Sequence, residues 1–458
     1  MKHISKKLFS VLTSIKLAVI VILALAVLSA IGTIYEARYD AEYAQKLIYQ
    51  SPYMYGVMIV LSLTLIAVMV DRWPWKKRHA AFVLAHIGII ITLIGAVFTQ
   101  KMGVDGSMAF RIGETKNRVT IKDRDLAVYG SFGDGEVRPL LQKQVEFVTH
   151  PPTEKDPYVL PFGSEKIEFV EYQHLAFREE KIIASDREAD GPAVRFQLTN
   201  PNVNMTEWIR RESGKSSEVV NLGPASVVLS DGSYQPQEGV NEVILVPVPK
   251  TDEIRYMVYD KSNLLKTRGK VKESQEFDVG WMGLKLKVLR YHPKSYKQVT
   301  YQKAEGSSPL AHSALRFRFR GQEYWIGIGS LIRLYTEDSM YVLAYVFRQI
   351  DVGFPLILKD FQIGHYQGTK RAASYQSLVE TPDGKEVVIS MNEPLKYGGF
   401  TFYQSSFEQD EMGKPKVSVL SVNHDPGRWL KYFGSFLIVL GSILLFYFKK
   451  ALARPRKT

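Results

Sequence analysis

The chemistry available to this 458-residue chain is narrow, and it centres on one histidine. There is no cysteine, which removes structural disulfides, thiolate metal sites and thiol–disulfide exchange carried out by the chain itself. No GxSxG, HExxH or Walker sequence occurs, so the common hydrolase and nucleotide-handling signatures are missing. The nine histidines are scattered, and none pairs with another at metal-ligand spacing in the polar part of the chain. The exception is His86, which lies inside the apolar run Ala80–Thr99, about seven residues from its basic end. At ~1.5 Å per residue that is roughly 10 Å into a bilayer. An ionisable side chain at that depth is costly unless it is paired or ligated. Two roles fit it: an imidazole ligand to haem iron, or a hydrogen bond to a neighbouring helix. His79, seven residues earlier, falls in a basic loop and reads as an interfacial residue. Gly88, Thr92 and Gly95 make a small-residue groove on the same run, where a helix or a flat ligand could approach closely. That groove flanks His86 and does not underlie it.

The elements that position His86 follow from hydropathy. Four runs are long and apolar enough to cross a bilayer, at 17–34, 53–70, 80–99 and 430–448. The first is too long for a signal-peptide core, and Ile34-Tyr35-Glu36 is a poor cleavage site, so it reads as a retained helix. Orientation follows from Lys and Arg. The N-terminal flank 1–16, the loop 71–79 and the tail 449–458 together carry 13 Lys and Arg against one acid, Asp71. The other residues hold 46 basic and 46 acidic side chains, out of 59 and 47 in all. The whole net charge of +12 therefore sits on one rim, where it indicates topology and contact with anionic lipid. It does not indicate nucleic-acid binding, because the large polar domain is electrically balanced. Both termini and 71–79 are expected in the cytoplasm of a bacterium. The loop 35–52 and the segment 100–429 are expected outside, the protein being a multi-pass component of the inner (plasma) membrane.

The outer segment shows two-residue alternation at Lys166–Tyr172, Val194–Leu198, Leu284–Tyr291, Leu315–Phe319 and Tyr341–Phe347. Thr381-Pro382-Asp383-Gly384-Lys385 between two such runs predicts a hairpin. No run there has a long helical period with caps. The expected fold is four transmembrane helices plus a large all-β, sandwich-like or barrel-like domain. Pro151-Pro152 and the polar stretch near Glu212–Glu218 read as loops that could divide it.

Several segments carry a family resemblance. They are Ser29-Ala30-Ile31-Gly32-Thr33 in the first helix, His86-Ile87-Gly88 and Gly95 in the third, and Phe354-Pro355-Leu356 with Lys359-Asp360-Phe361. Tyr366-Gln367-Gly368-Thr369, the run Met391–Phe407 and Asp425-Pro426-Gly427 complete the set. The chain resembles the ResB (CcsB) family of the system II cytochrome c maturation machinery. The resemblance implies that His86 is one axial ligand of a non-covalent haem b held within the membrane. It also implies a ResC/CcsA-type membrane subunit that supplies the opposing ligand, outward transfer of haem, and its attachment to apocytochrome c. A thioredoxin-like protein would reduce the client's thiols. The resemblance assigns no catalytic residue to this chain. The six tryptophans are isolated, so the tryptophan-rich haem-handling segment of fused family members is missing, and this chain alone is not expected to be a complete synthase. The run Met391–Phe407 reads as a turn and a packed terminal strand. The competing function is a membrane-anchored scaffold or chaperone whose outer domain docks a client without binding haem. A sensor is disfavoured, because in the four-helix reading the cytoplasmic segments 1–16, 71–79 and 449–458 are too short for an output domain.

Overall fold

The computed structural model describes residues 2–131, 136–187, 190–223, 225–369, 371–409 and 415–447. The expected tail 449–458 and Phe448 lie outside the described residues. Among the described residues six α-helices occur: α1 (Lys2–Leu12), α2 (Ile15–Arg38), α3 (Ala41–Ala44), α4 (Pro52–Asp71), α5 (Ala80–Met102) and α6 (Arg428–Tyr447). Of these α2, α4, α5 and α6 are long and apolar enough to span a bilayer. Their starts are set by capping: Ser14 accepts from the Lys16 amide ahead of α2, and Ser51 accepts from the Met54 amide ahead of α4, with Pro52 in the first turn.

Two segments outside the apolar runs carry helix. The N-terminal flank holds a separate helix, α1 (Lys2–Leu12). Residues 35–52 are not an open loop: α2 continues to Arg38, and α3 is followed by a π-helical turn at Gln45–Tyr49. The apolar run ends at Ile34, but the chain beyond it stays helical because Asp40 caps α3 by accepting from the Tyr43 amide at 2.7 Å.

The small-residue groove on α5 is filled by α6. Glycines recur at seven-residue spacing, at 88 and 95 on α5 and at 427, 434 and 441 at and along α6. A methyl group on Gly88 would stand 2.7 Å from the Gly434 carbonyl, and one on Gly441 would stand 2.7 Å from the Ala85 amide. Any side chain at these positions forces the helices apart. The Thr92 and Thr99 hydroxyls donate back to the Gly88 and Gly95 carbonyls at 2.9 and 3.1 Å, so no polar group is left bare in the contact. At the outer end, Asp425 accepts from Thr99 (2.6 Å), the Gly427 amide (3.1 Å) and Lys431 (2.7 Å). Burial would raise its pKa, but Lys431 and Thr99 outweigh that and hold its carboxyl below the usual range.

Every described element between α5 and α6 is a strand. The chain divides into two compact units, one running to Ala176 and resuming at Lys303, the other Phe177–Gln302. Both divisions fall inside long strands, Glu165–Ala184 and Lys285–Lys303, and not at Pro151-Pro152 or 212–218. Pro151-Pro152 and residues 212–216 are loops as expected, and the strand Ser217–Asn221 takes up only the last two residues of the stretch 212–218.

In the first unit, the long strand Met340–His365 pairs with Thr115–Ser131, Ala372–Glu380 and Ser330–Tyr335. The sheet continues through Val104–Phe110, Pro415–His424 and Phe400–Gln409. One core, including Phe110, Val119, Leu356, Val379, Phe402 and Leu420, is drawn from strands of this single sheet, so the sheet curls on itself. A second core joins Leu126, Val128 and Leu343 of that sheet to Phe169 and Phe317 of another, which is sandwich packing. The predicted hairpin is present: Glu380 pairs with Glu386, Gly384 has φ +74°, and its amide donates to the Thr381 carbonyl at 2.9 Å. The second unit has its own core of Val194, Phe196, Leu229, Val243 and Leu286, over a five-stranded sheet. In that sheet Ala225–Ser230 and Asn241–Pro247 run parallel.

Candidate functional site

Taking the α6-facing glycine row of α5 (Gly88 and Gly95) as reference, His86 lies about 170° round the helix at ~100° per residue, on nearly the opposite face. Its side chain is half-buried, and its Nδ1–H donates to the Phe82 carbonyl at 2.8 Å, one turn back. That bond settles the tautomer and leaves the lone pair on Nε2. Among the described residues no hydrogen bond to Nε2 occurs. The Phe82 ring lies 3.8 Å from the imidazole, centroid to centroid, and the Arg72 guanidinium carbon lies 3.7 Å from the centre of that ring. A stack Arg72–Phe82–His86 thus runs from the basic rim into the membrane helix.

These residues fit one half of a haem site. A neutral imidazole with its other nitrogen tied to a backbone carbonyl, in apolar surroundings, can form one axial bond. Among the described residues no group of three or more His, Cys, Asp or Glu that could hold a metal ion occurs. His79 is placed elsewhere: its Nε2 accepts from Arg78 at 3.1 Å within the turn Lys77–His79.

A second constellation was not visible in sequence. The connection between α2 and α4 is ion-paired to the β-domain. Glu42 and Arg124, 82 residues apart and both buried, form a two-pronged pair, with Nη2 to Oε2 at 2.9 Å. Asp40 accepts from His174 Nε2 at 2.7 Å, and His174 Nδ1 accepts from the Tyr172 hydroxyl at 2.9 Å. The Tyr43 ring packs 4.7 Å from the imidazole. Lys46 bonds Glu146 at 2.5 Å, with Asp123 and Glu42 each at 3.5 Å. Burial works against the charge on each group, but partners outweigh it: the Asp40 pKa is lowered by His174 and the Tyr43 amide, and that of Lys46 is raised by Glu146. Arg124 is likewise held charged, with Glu42 among the groups that raise its pKa against desolvation. The first helix connection is therefore fastened to the domain by charge. The only advance signal was Asp40 and Glu42 placed just past an apolar run.

The run Met391–Phe407 is structural. Leu395–Tyr397 and Phe400–Gln409 form a hairpin turning on Gly398 and Gly399, with φ +58° and +82°. Phe354 packs against Tyr397 at 4.9 Å, while Gln404 bonds Ser377 at 2.6 Å and Ser418 at 3.1 Å in the interior.

Comparison with known proteins agrees with this architecture. Residues 336–417 match the ResB-like family. The chain is 36% identical over 113 residues to Protein NrfI of Wolinella succinogenes. That match covers 24% of this chain and 12% of NrfI, so the chain corresponds to a small part of that relative. Among solved structures, the Bacillus subtilis inhibitor of motility MotI/DgrA aligns over 55% of this chain and 96% of its own. Its TM-score is 0.11 and its identity 10%, values at which the likeness carries no weight. The matched segment contains the Gly398-Gly399 hairpin and the whole strand Met340–His365, in a chain whose four apolar helices accompany an all-β domain: over residues 336–417 the chain is similar to the ResB-like family.

Proposed function

We propose that this chain is the haem-holding subunit of a system II cytochrome c maturation complex. His86 supplies one axial ligand to haem b iron within the membrane, and a ResC/CcsA-type subunit supplies the other. Together they assist outward transfer of haem and its attachment to apocytochrome c, whose thiols a thioredoxin-like partner keeps reduced. The observation that carries this reading is the tautomer of His86: a membrane imidazole with Nδ1 committed and Nε2 unpartnered. When bound, haem brings the vinyl groups and iron that thioether attachment requires. This chain's part is to present one nitrogen, exclude water and hold the helices in register. Co-expression with a ResC-type partner is expected to yield a red complex with a Soret band, and to restore c-type cytochromes in cells lacking this protein. A colourless complex that still restores them would establish the scaffold reading instead.

The orientation belongs to the same proposal. Both termini and residues 71–79 face the cytoplasm, and the β-domain lies in the periplasm. The basic flanks support this, and so does the ion-paired connection at 40–46, which puts the α2–α4 turn on the domain's side of the helices. Alkaline phosphatase inserted at Gly232 is expected to be active and the same reporter at the C-terminus inactive. The reverse pattern would overturn the topology.

A further inference from the structure

We infer that α1 and the α4–α5 turn form one binding surface for anionic phospholipid headgroups, at the end of the bundle away from the β-domain. α1 is not the start of the first span. Ser14 adopts an extended conformation (φ −76°, ψ +131°) between the two helices and caps α2, so the axis turns there. The faces of α1 are segregated: Lys6, Lys7 and Ser10 share one side, and Leu8, Val11 and Leu12 the other. Leu8 is 60% exposed although it lies seven residues from the first residue of the span, so its apolar face needs a cover at the level of the membrane surface. Charge names the cover. No Asp or Glu occurs in the first 35 residues. α1 packs beside α4, and beyond the end of α4 stand Arg72, Lys76, Lys77 and Arg78. In the same turn Trp73 is 67% exposed and meets Trp75 edge-on at 5.1 Å, while the Trp75 indole donates to the Met69 carbonyl at 2.9 Å. An apolar stripe beside lysines and a fixed tryptophan pair is the pattern of an in-plane helix at an anionic interface, not of a water-exposed tail.

The lack of native cysteine makes the test direct. Spin labels are placed singly by Leu8→Cys and Ser10→Cys in the full chain, reconstituted in nanodiscs of phosphatidylcholine with or without phosphatidylglycerol. With phosphatidylglycerol, the label at 8 is expected to be relaxed by oxygen and the label at 10 by a water-soluble nickel chelate. Phosphatidylglycerol affinity is expected to fall about fivefold for each lysine removed by Lys6→Gln and Lys7→Gln. Equal nickel accessibility at both positions, or unchanged lipid affinity in the double variant, would overturn the inference. So would spin–spin broadening at position 8, which would put a second copy of the chain on this face.

Discussion

The His86→Ala protein, purified with a ResC-type partner, is expected to lose most of its Soret absorbance and to stop supporting c-type cytochromes, while still reaching the membrane at normal levels. The expected loss is large because His86 is the only histidine within the four apolar runs, so the proposed haem site would have no substitute for it on this chain. Insertion is spared because removing a polar group from an apolar helix lowers the cost of burying it. Helix packing is also spared, since His86 lies well away from the glycine row that seats α6. Its hydrogen bond is to the backbone of its own helix, so the substitution leaves no buried partner stranded. Added imidazole is expected to return part of the absorbance and part of the maturation, entering the vacated volume and bonding the iron. His79→Ala serves as the contrast: it lies in the basic turn, paired with Arg78, and its loss is expected to change haem content little. Wild-type haem content in the His86→Ala complex would sink the ligand assignment and leave His86 a residue that bonds only its own helix.

The second large effect concerns Arg124. Glu42→Ala leaves a guanidinium buried without its counter-ion, and such an uncompensated charge costs about 3–5 kcal/mol. The expected result is a clear drop in the midpoint of thermal unfolding in detergent, with faster proteolysis across residues 39–51. Pairing it with Arg124→Met removes the stranded charge, and most of the lost stability is expected to return. That recovery separates an electrostatic fastening from simple loss of packing. If the double variant unfolds as early as Glu42→Ala alone, or if Glu42→Ala unfolds like the parent, the pair does not hold the connection to the domain. An exposed pair such as Lys385–Asp383 is the control, since solvent screening leaves it little to contribute.

The coupling has a functional consequence for the proposed activity. The α2–α4 connection is tied to the domain at Asp40, Glu42 and Lys46, and α5 and α6 are tied together at Thr99, Asp425 and Lys431. Both helix pairs are thus fastened on the domain side, within the unit that also carries His86. In the proposed complex, a rigid frame of this kind would hold the His86 nitrogen at a constant place.

The sequence alone determined the parts that depend on local pattern. Four apolar runs became four spanning helices because chain length and hydropathy suffice to decide what can be buried in hydrocarbon. Alternation at Lys166–Tyr172 and Leu315–Phe319 became strands because one face of each had to be covered. The Thr381–Lys385 turn followed from residues whose backbone preferences are intrinsic. His86 stood out because depth in an apolar run can be counted. Only the tertiary structure decided which surfaces meet. The groove at Gly88 and Gly95 was legible as close packing, but α6, more than 300 residues later, had to arrive before a second helix rather than a flat ligand was seen to fill it. The continuation of α2, the capped turn at Asp40 and the unit boundary inside two long strands were equally hidden. Glu42 and Arg124, like Asp40 and His174, are charges far apart in sequence, and no local period relates them. A pair of that kind exists only where folding brings its members together and removes the water between them.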